Sequence, residues 1–268
     1  MSAQNALAFD GTVDNIHGIS VPVMGTQPRT YEAWIKTSAY STTGYGVMMQ
    51  TGWLSAFNLE FGVGYGGKLT AGIIGATSGT HWVTGNTPVS DGLWHHVAMA
   101  YTGPSANSII FYVDGILDST INLGSVVVNT TSPTFSISSV VDAFNGVIDE
   151  VRIWNIARTW SSIATDMNTE YCNYPIGLTS YFKFNEGNAS SLNYGRDSAK
   201  EEITSQLFHL DGFALNNNTS NWVAGSGITS VSHSYTYYSY DTCSSYSVTG
   251  PTGAVYDSSG TYREVLTT

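Results

Sequence analysis

Apolar and polar residues alternate at every second position in two stretches of this chain. In Trp94–Tyr101 (WHHVAMAY), Val97, Met99 and Tyr101 fall on one face and Trp94, His96 and Ala98 on the other, the period of two that a strand requires. In Asn145–Asn155 (NGVIDEVRIWN), the same spacing puts Val147, Val151 and Ile153 together, opposite Glu150, Arg152 and Trp154. That is the pattern of a strand with one buried and one wetter side. Between the two lies IIFYVDGILDS, whose Asp114-Gly115 pair joins two apolar runs and predicts a two-residue type I′ hairpin. Clusters of Gly, Ser, Thr and Asn recur at short intervals, as in an all-β sandwich. One short helix is predicted after Asn155, capped by Ser161 or Ser162, with Ile163 and Met167 at i and i+4 on one face.

Composition narrows the class. Hydrophobic residues make up 42% of the 268, which excludes a disordered chain, and the length allows one large β-domain or a domain with an appendage. Charged residues are only 11%, beside 28 Gly and 17 Tyr, the balance of an extracellular β-protein with polar, uncharged loops. The net charge of −11, with 9 Lys and Arg in all, argues against nucleic acid and against an anionic membrane surface. No run approaches the roughly 18 apolar residues of a membrane span, and the start lacks a charged then apolar signal pattern. The chain is therefore expected to be a piece of a larger secreted or cell-surface protein. Beyond Trp222 the composition turns Ser-, Tyr- and Thr-rich, with turn signals at Gly250–Gly253 and Asp257–Gly260. This divides the chain into a domain over residues 1–225 and a small β-rich segment, linker or repeat, over 226–268. Cys172 and Cys243 fall in different regions and are read as separate thiols, since pairing needs Cα atoms within about 7 Å.

Most chemical motifs fail on their context. Gly62, Gly64 and Gly67 spell G-x-G-x-x-G, but KLTAGIIGATSG comes next and cannot open the helix a pyrophosphate needs. His95 and His96 are adjacent on a strand and leave opposite faces, so they cannot chelate one metal. No G-x-S-x-G elbow is present. Glycoside hydrolysis needs two carboxyl groups at a fixed separation. Asp149-Glu150 point to opposite faces, while Glu32 and Glu60 lack an acidic neighbour two residues away and read as structural partners of Arg152 or another cation. Loop aromatics beside short polar residues are the remaining recognition chemistry, since a sugar offers an apolar C–H face fringed by hydroxyls. The candidates are Tyr45, Trp53, His81 and Trp82, with Asn86 and Asn145 supplying amides. Trp34, Trp94 and Trp154 are read as packing residues.

In chain order, ALAFDGTVDNI, TYEAWIKTS, LWHHVAMAY, FNGVIDEVRIWN, GLTSYFKFNEG and FALNNNTSNWV resemble the laminin G-like, concanavalin A-like jelly roll, with pentraxins among its relatives. The resemblance covers roughly residues 5–225 and implies an all-β jelly-roll sandwich with one short helix. The C-terminal segment resembles the start of the tandem β-repeats in large surface proteins of Bacteroidetes. That fold carries lectins, adhesion modules, calcium-dependent recognition domains and glycoside hydrolases, so the site must decide function. The resemblance implies that Asp10, Asp14 and Asp149 contribute to a structural calcium, which takes carboxylate and carbonyl oxygens. Asp10 before Gly11 is equally ordinary turn chemistry. Asp142 corresponds only roughly to the loop that carries calcium ligands in pentraxins, and the acidic cluster found there is missing. The expected function is a non-catalytic module recognising a glycan or glycosylated surface. The alternatives are a polysaccharide hydrolase or lyase with a dispersed site, and a structural or protein-interaction domain.

Overall fold

A computed structural model describes residues 4–18, 23–39, 45–51, 58–76, 79–131, 134–171, 173–189, 191–215, 221–228, 235–240, 248–249, 255–256 and 260–265. The strands are β1 (Asn5–Asp10), β2 (Asn15–Gly18), β3 (Arg29–Lys36), β4 (Gly46–Thr51), β5 (Asn58–Val63), β6 (Lys68–Ala76), β7 (Gly79–Pro88), β8 (Trp94–Tyr101), β9 (Ser108–Val113), β10 (Ile116–Asn122), β11 (Phe135–Ile137) and β12 (Asn145–Trp154). Helix α1 (Trp160–Asp166) comes next, then β13 (Leu178–Phe182), β14 (Ser198–Lys200), β15 (Leu207–Asp211) and β16 (Trp222–Ala224). They form an antiparallel sandwich. One sheet runs β10-β9-β8-β3-β12-β1-β16 with β13 also on β12, and the other runs β14-β15-β2-β11-β4-β5-β6-β7.

The alternation in Trp94–Tyr101 sets the first sheet. Val97, Met99 and Tyr101 enter the core between the sheets, while Ala98 and Ala100 pack with Tyr112 and Ile163 in a second, smaller cluster. Small residues at 98 and 100 let α1 lie close. The hairpin at Asp114-Gly115 has φ of 51° and 72° and joins Val113 to its partner Ile116, as a type I′ turn demands. In β12 the alternation breaks. Ile148, not Val147, enters the core, because the ladder to β3 shifts between Asp149 and Arg152 and Glu150 sits at φ 53°. Such a bulge inserts one residue and reverses every face upstream of it. A period-two reading across the whole strand therefore fails for Val147 and holds for Val151 and Ile153.

The helix cap also differs from expectation. Thr159, rather than Ser161 or Ser162, is the N-cap and accepts from the Ser162 amide at 3.3 Å. Just before it, Arg158 is drawn inward. Its guanidinium donates to Glu32 at 2.8 and 3.0 Å and to Asp166 at 2.6 Å, and lies 4.1 Å from the Trp154 ring centroid. Arg158 is thus the main partner of Glu32. Arg152 approaches Glu32 only to 3.9 Å and bonds Glu150 at 2.8 Å instead.

Contacts divide the chain into one unit of residues 1–169 and 174–229 and another of residues 170–173 and 230–268. The first runs a few residues beyond 225 because the backbone and hydroxyl of Ser226 both donate to Asp149, each at 2.8 Å. The second contains two short ladders, Tyr235–Tyr240 with Gly260–Val265 and Val248–Thr249 with Val255–Tyr256. Cys172 and Cys243 lie outside the described residues.

Candidate functional site

The second sheet turns a polar face away from the core. Leu59, Phe61 and Val63 of β5 and Leu69, Ala71 and Ile73 of β6 are buried between the sheets. Period two then places Glu60, Gly62, Thr70 and Gly72 on the opposite face. Register sets them in rows across the strands: Gly62 opposite Thr70 and Thr70 opposite Thr84, then Glu60 opposite Gly72 and Gly72 opposite Trp82.

Two of these positions are glycine because close neighbours leave no room for a β-carbon. A Cβ on Gly62 would come 2.1 Å from the Gly46 carbonyl oxygen and 2.8 Å from the Tyr45 ring, and one on Gly72 would come 2.6 Å from the Trp82 indole. The glycine pattern that resembled a phosphate loop is accounted for here. Gly62 makes room for Tyr45, and the chain then turns through Tyr65–Gly67 directly into β6, with Gly66 and Gly67 at φ 71° and 70°. The two rings meet edge to face, 4.7 Å apart at 73°. Tyr45 is buried and donates its hydroxyl to the Thr70 carbonyl at 3.2 Å, while Trp82 keeps 45% of its surface.

Tyr45 separates two cavities. One of about 400 Å³ is lined by Tyr45, Gly64, Tyr65, Thr70, Trp82, Thr84 and Asp142. The other, of about 290 Å³, is bordered by Tyr45, Asp142, Phe144, Asn145 and backbone around Gly46 and Ala143. No lysine, arginine or histidine is among the described residues lining either. Burial, followed by the carboxylates of Glu60 and Asp142, pushes the Tyr45 hydroxyl well above its usual pKa, so it stays a neutral donor. Burial raises Asp142 as well. Glu60 is pushed to about 7, mainly by burial and further by Asp142, against the hydrogen bond from Asn58. Its partner is that Asn58 amide at 3.1 Å rather than the cation expected from sequence.

The candidate residues meet different fates. Tyr45 and Trp82 share the larger cavity, and Tyr45 and Asn145 share the smaller. His81, one residue from Trp82 on β7, leaves the opposite face, since it shares parity with the buried Val83. Asn86 is occupied elsewhere: its amides bond the Asp118 carboxylate and carbonyl at 2.8 and 3.0 Å, fastening β7 to β10. Trp53 lies outside the described residues.

The three aspartates do not form one donor set. The Asp10 carboxylate accepts from the amides of Thr12, Val13 and Asp14, bonds that outweigh its slight burial and lower its pKa. Asp14 accepts from the Asp10 amide at 3.0 Å and from Asn221 at 2.8 Å. Burial, then the Asp10 charge, raises Asp14 to about 6. Asp149 lies four residues along β12 from Asn145, the partner of Asp10, and holds Ser226 instead. Among the described residues no three His, Cys, Asp or Glu side chains gather as metal ligands. Protein N–H and O–H groups occupy the Asp10 carboxylate, Asp14 Oδ2 and Asp149 Oδ2, while Asp149 Oδ1 has no partner.

The sequence reading weighed Asp142 only as a calcium-loop position and Gly62 only as part of a phosphate motif, and passed over Thr70, Thr84 and Gly72. The signal was the alternation in NLEFGV and KLTAGII, which already puts Gly62, Thr70 and Gly72 on one face.

Comparison with known proteins agrees with this architecture. The Laminin_G_3 family model, described as concanavalin A-like lectin/glucanases superfamily, matches residues 10–164. No curated protein matches the chain in sequence. A protein of Bacteroides ovatus ATCC 8483, classed provisionally as carbohydrate binding, superposes with a TM-score of 0.58 at 19% identity, covering 79% of this chain and 59% of its own. The chain thus spans less than two thirds of that protein. The native heptameric SAP-like pentraxin of Limulus polyphemus superposes with a TM-score of 0.50 at 13% identity, covering 78% of this chain and 96% of its own. At these identities the likeness is one of fold.

Proposed function

This chain belongs to the concanavalin A-like lectin/glucanases superfamily, and from that premise we propose that it is a non-catalytic glycan-recognition module of a secreted or cell-surface protein, with its site around Trp82, Tyr45 and Asp142. The carrying observation is the Trp82 indole: nearly half exposed, braced edge-on by a buried tyrosine, and flanking a cavity fringed by threonine hydroxyls and a carboxylate. A pyranose ring stacks its C–H face on such an indole and directs its hydroxyls to such a fringe. The provisional carbohydrate-binding class of the Bacteroides ovatus relative, which shares the fold, supports the same reading. The absence of a cation among the described lining residues, in a chain of net charge −11, favours neutral glycans over sulfated or uronic ones.

A glycan array carrying neutral, sialylated, sulfated and uronic glycans tests this. Signal is expected on neutral glycans, and Trp82→Ala is expected to weaken it by roughly 1 to 3 kcal/mol, the cost of truncating an anchor ring, while leaving the melting curve in place. Binding unchanged by Trp82→Ala would refute the site, and collapse of the fold would show the ring to be core. A hydrolase reading rests on the raised carboxyls of Glu60 and Asp142. Glu60, however, is buried and lines neither cavity, so no glycosidic bond is positioned against it. Release of reducing ends from a bound glycan would overturn the non-catalytic assignment.

A further inference from the structure

The turn between β5 and β6 carries a tyrosine that the fold does not use. Tyr65 keeps 74% of its surface, and among the described residues its side chain has neither a ring partner nor a hydrogen bond. The backbone beneath it is nonetheless pinned. The Gly64 amide donates to the Lys68 carbonyl at 2.9 Å, the Gly67 amide to the Gly64 carbonyl at 3.0 Å and the Val89 amide to the Gly67 carbonyl at 2.8 Å. Gly67, at φ 70°, lies against Ser90, whose Oγ would come 1.9 Å from a β-carbon there. An exposed ring on a turn so pinned needs no backbone ordering when it meets a ligand, which removes one cost of binding.

Tyr65 and Trp82 line the same cavity of about 400 Å³, and Thr70 and Thr84 line it with them. Register fixes their order along the strands. The Trp82 indole lies over Gly72, and two residues further along the same face come Thr70 and its register partner Thr84, whose hydroxyls are 3.4 Å apart. Beyond them Lys68 holds the Gly64 amide, and Tyr65 follows Gly64. Gly72 and Lys68 are four residues apart on β6, about 13 Å in a strand. A single pyranose ring is too short to lie against both ends of that span, whereas a run of linked rings is not. Gly64 keeps the middle open, since a β-carbon on it would come 2.6 Å from Thr70 Oγ1.

We propose that this cavity is a trough for linked sugars, with one pyranose stacked on Trp82, a later one in the same glycan stacked on Tyr65, and the Thr70 and Thr84 hydroxyls meeting the hydroxyl groups between them. The ligand is then a stretch of oligosaccharide or polysaccharide lying along β6 and β7, and not a single terminal sugar. Each aromatic face takes the C–H face of one ring, and the polar pair between them serves the hydroxyl fringe. Two rings at a fixed spacing accept only a glycan backbone that presents two stacking faces at that spacing, so one linkage is favoured over others. This rests on the glycan reading given above.

The test is calorimetric titration with neutral sugars of increasing length in five series: cello-, laminari-, malto-, manno- and xylo-oligosaccharides, each with its single sugar. In at least one series affinity is expected to rise by roughly tenfold or more between the single sugar and the first oligomer that reaches Tyr65, and then to level off, the gain expected of a second anchor ring. Tyr65→Ala should remove that rise, leave the shortest ligands binding as before and leave the melting temperature in place, because the ring is exposed. Tyr65→Trp should keep the rise, and Trp82→Ala should weaken binding at every length. Affinity independent of length in every series, a rise that survives Tyr65→Ala, a rise lost in Tyr65→Trp as well, or equal weakening of single sugar and oligomer by Tyr65→Ala overturns the trough while leaving the Trp82 site standing. A melting temperature lowered several degrees by Tyr65→Ala shows a structural ring and overturns it likewise. Silence from all five series overturns the trough alone if the array shows Trp82-dependent binding, and takes the glycan reading with it if the array is silent too.

Discussion

Replacing Asp149 by asparagine is expected to stabilise this protein at alkaline pH and to leave it little changed at acidic pH. Asp149 is fully buried on β12, with Oδ2 accepting both the amide and the hydroxyl of Ser226 at 2.8 Å and Oδ1 without a partner. Burial, and then the neighbouring Glu150 carboxylate, raises its pKa from the ordinary carboxylate range to about 7, with the Ser226 bonds opposing. In the unfolded chain the group returns to about 3.9. The folded state therefore holds the proton more tightly. Its stabilising contribution is complete below about pH 4 and is lost as pH rises through about 7. Three pKa units at 1.36 kcal/mol each set an upper limit of about 4 kcal/mol, and local relaxation brings the expected loss to about 2 to 4 kcal/mol.

An asparagine side chain has the shape of the protonated acid. Its carbonyl can accept both Ser226 bonds and it carries no charge to desolvate. Urea denaturation of both proteins from pH 3.5 to 8.5 should give curves that meet near pH 4, separate between about pH 4 and 7 and keep a constant gap above that, with Asp149→Asn the more stable. For a domain of this size, 1 kcal/mol moves the melting temperature by about 2–4 °C, so a gain of several degrees is expected at pH 8. Asp14 and Glu60, also raised, slope both curves alike, and the difference isolates position 149. A gap that stays constant from pH 3.5 to 8.5 would refute the assignment of a buried, proton-binding carboxyl to Asp149.

Arg158→Ala should cost about 3–5 kcal/mol, because it leaves the fully buried Glu32 with Arg152 no nearer than 3.9 Å and unties Asp166 of α1. Replacing Arg158 and Glu32 together by methionine should cost less than the single change, and the reverse order in urea denaturation would contradict the ion-pair account. EDTA should leave the melting curve unmoved, since the carboxylates of Asp10, Asp14 and Asp149 are held by protein donors. A fall of several degrees would reveal an ion that this geometry does not provide for.

The fold was legible because its decisive signals are local. In Trp94–Tyr101 the two sets of alternating residues enter two separate clusters, and Asp114-Gly115 adopts the positive φ its turn type requires. Where reading failed, a non-local constraint had intervened. The bulge at Glu150 reverses the faces upstream in β12, and nothing in the stretch NGVIDEVRIWN marks which residue takes positive φ. The same bulge region holds Arg152 between Glu150 and the carbonyls of Asp166 and Thr169, so the strand's irregularity and the seating of α1 form one feature. The partner of Glu32 was legible only as a cation: Arg152 is its register neighbour on β12, and the residue that bonds it is Arg158, just ahead of the helix.

The site was half legible, and the half that was missed shows what to look for. A search for chemistry by side chain finds Trp82 and Tyr45, which could make contacts, and passes over Gly62 and Gly72, which cannot. Yet those glycines decide where the rings go. Both face outward on adjacent strands, Gly62 where a β-carbon would strike the Gly46 carbonyl and the Tyr45 ring, Gly72 where it would strike the Trp82 indole. A glycine in a strand interior weakens the strand and often marks a close approach by something else. Here two of them bracket an aromatic pair. The motif G-x-G-x-x-G was therefore meaningful in part and misleading as a whole. Its first glycine serves a ring instead of a phosphate, because the element after it is a strand with no helix amides to offer. Read by strand parity instead of by spacing, the same letters point to the face on which a sugar ring would stack.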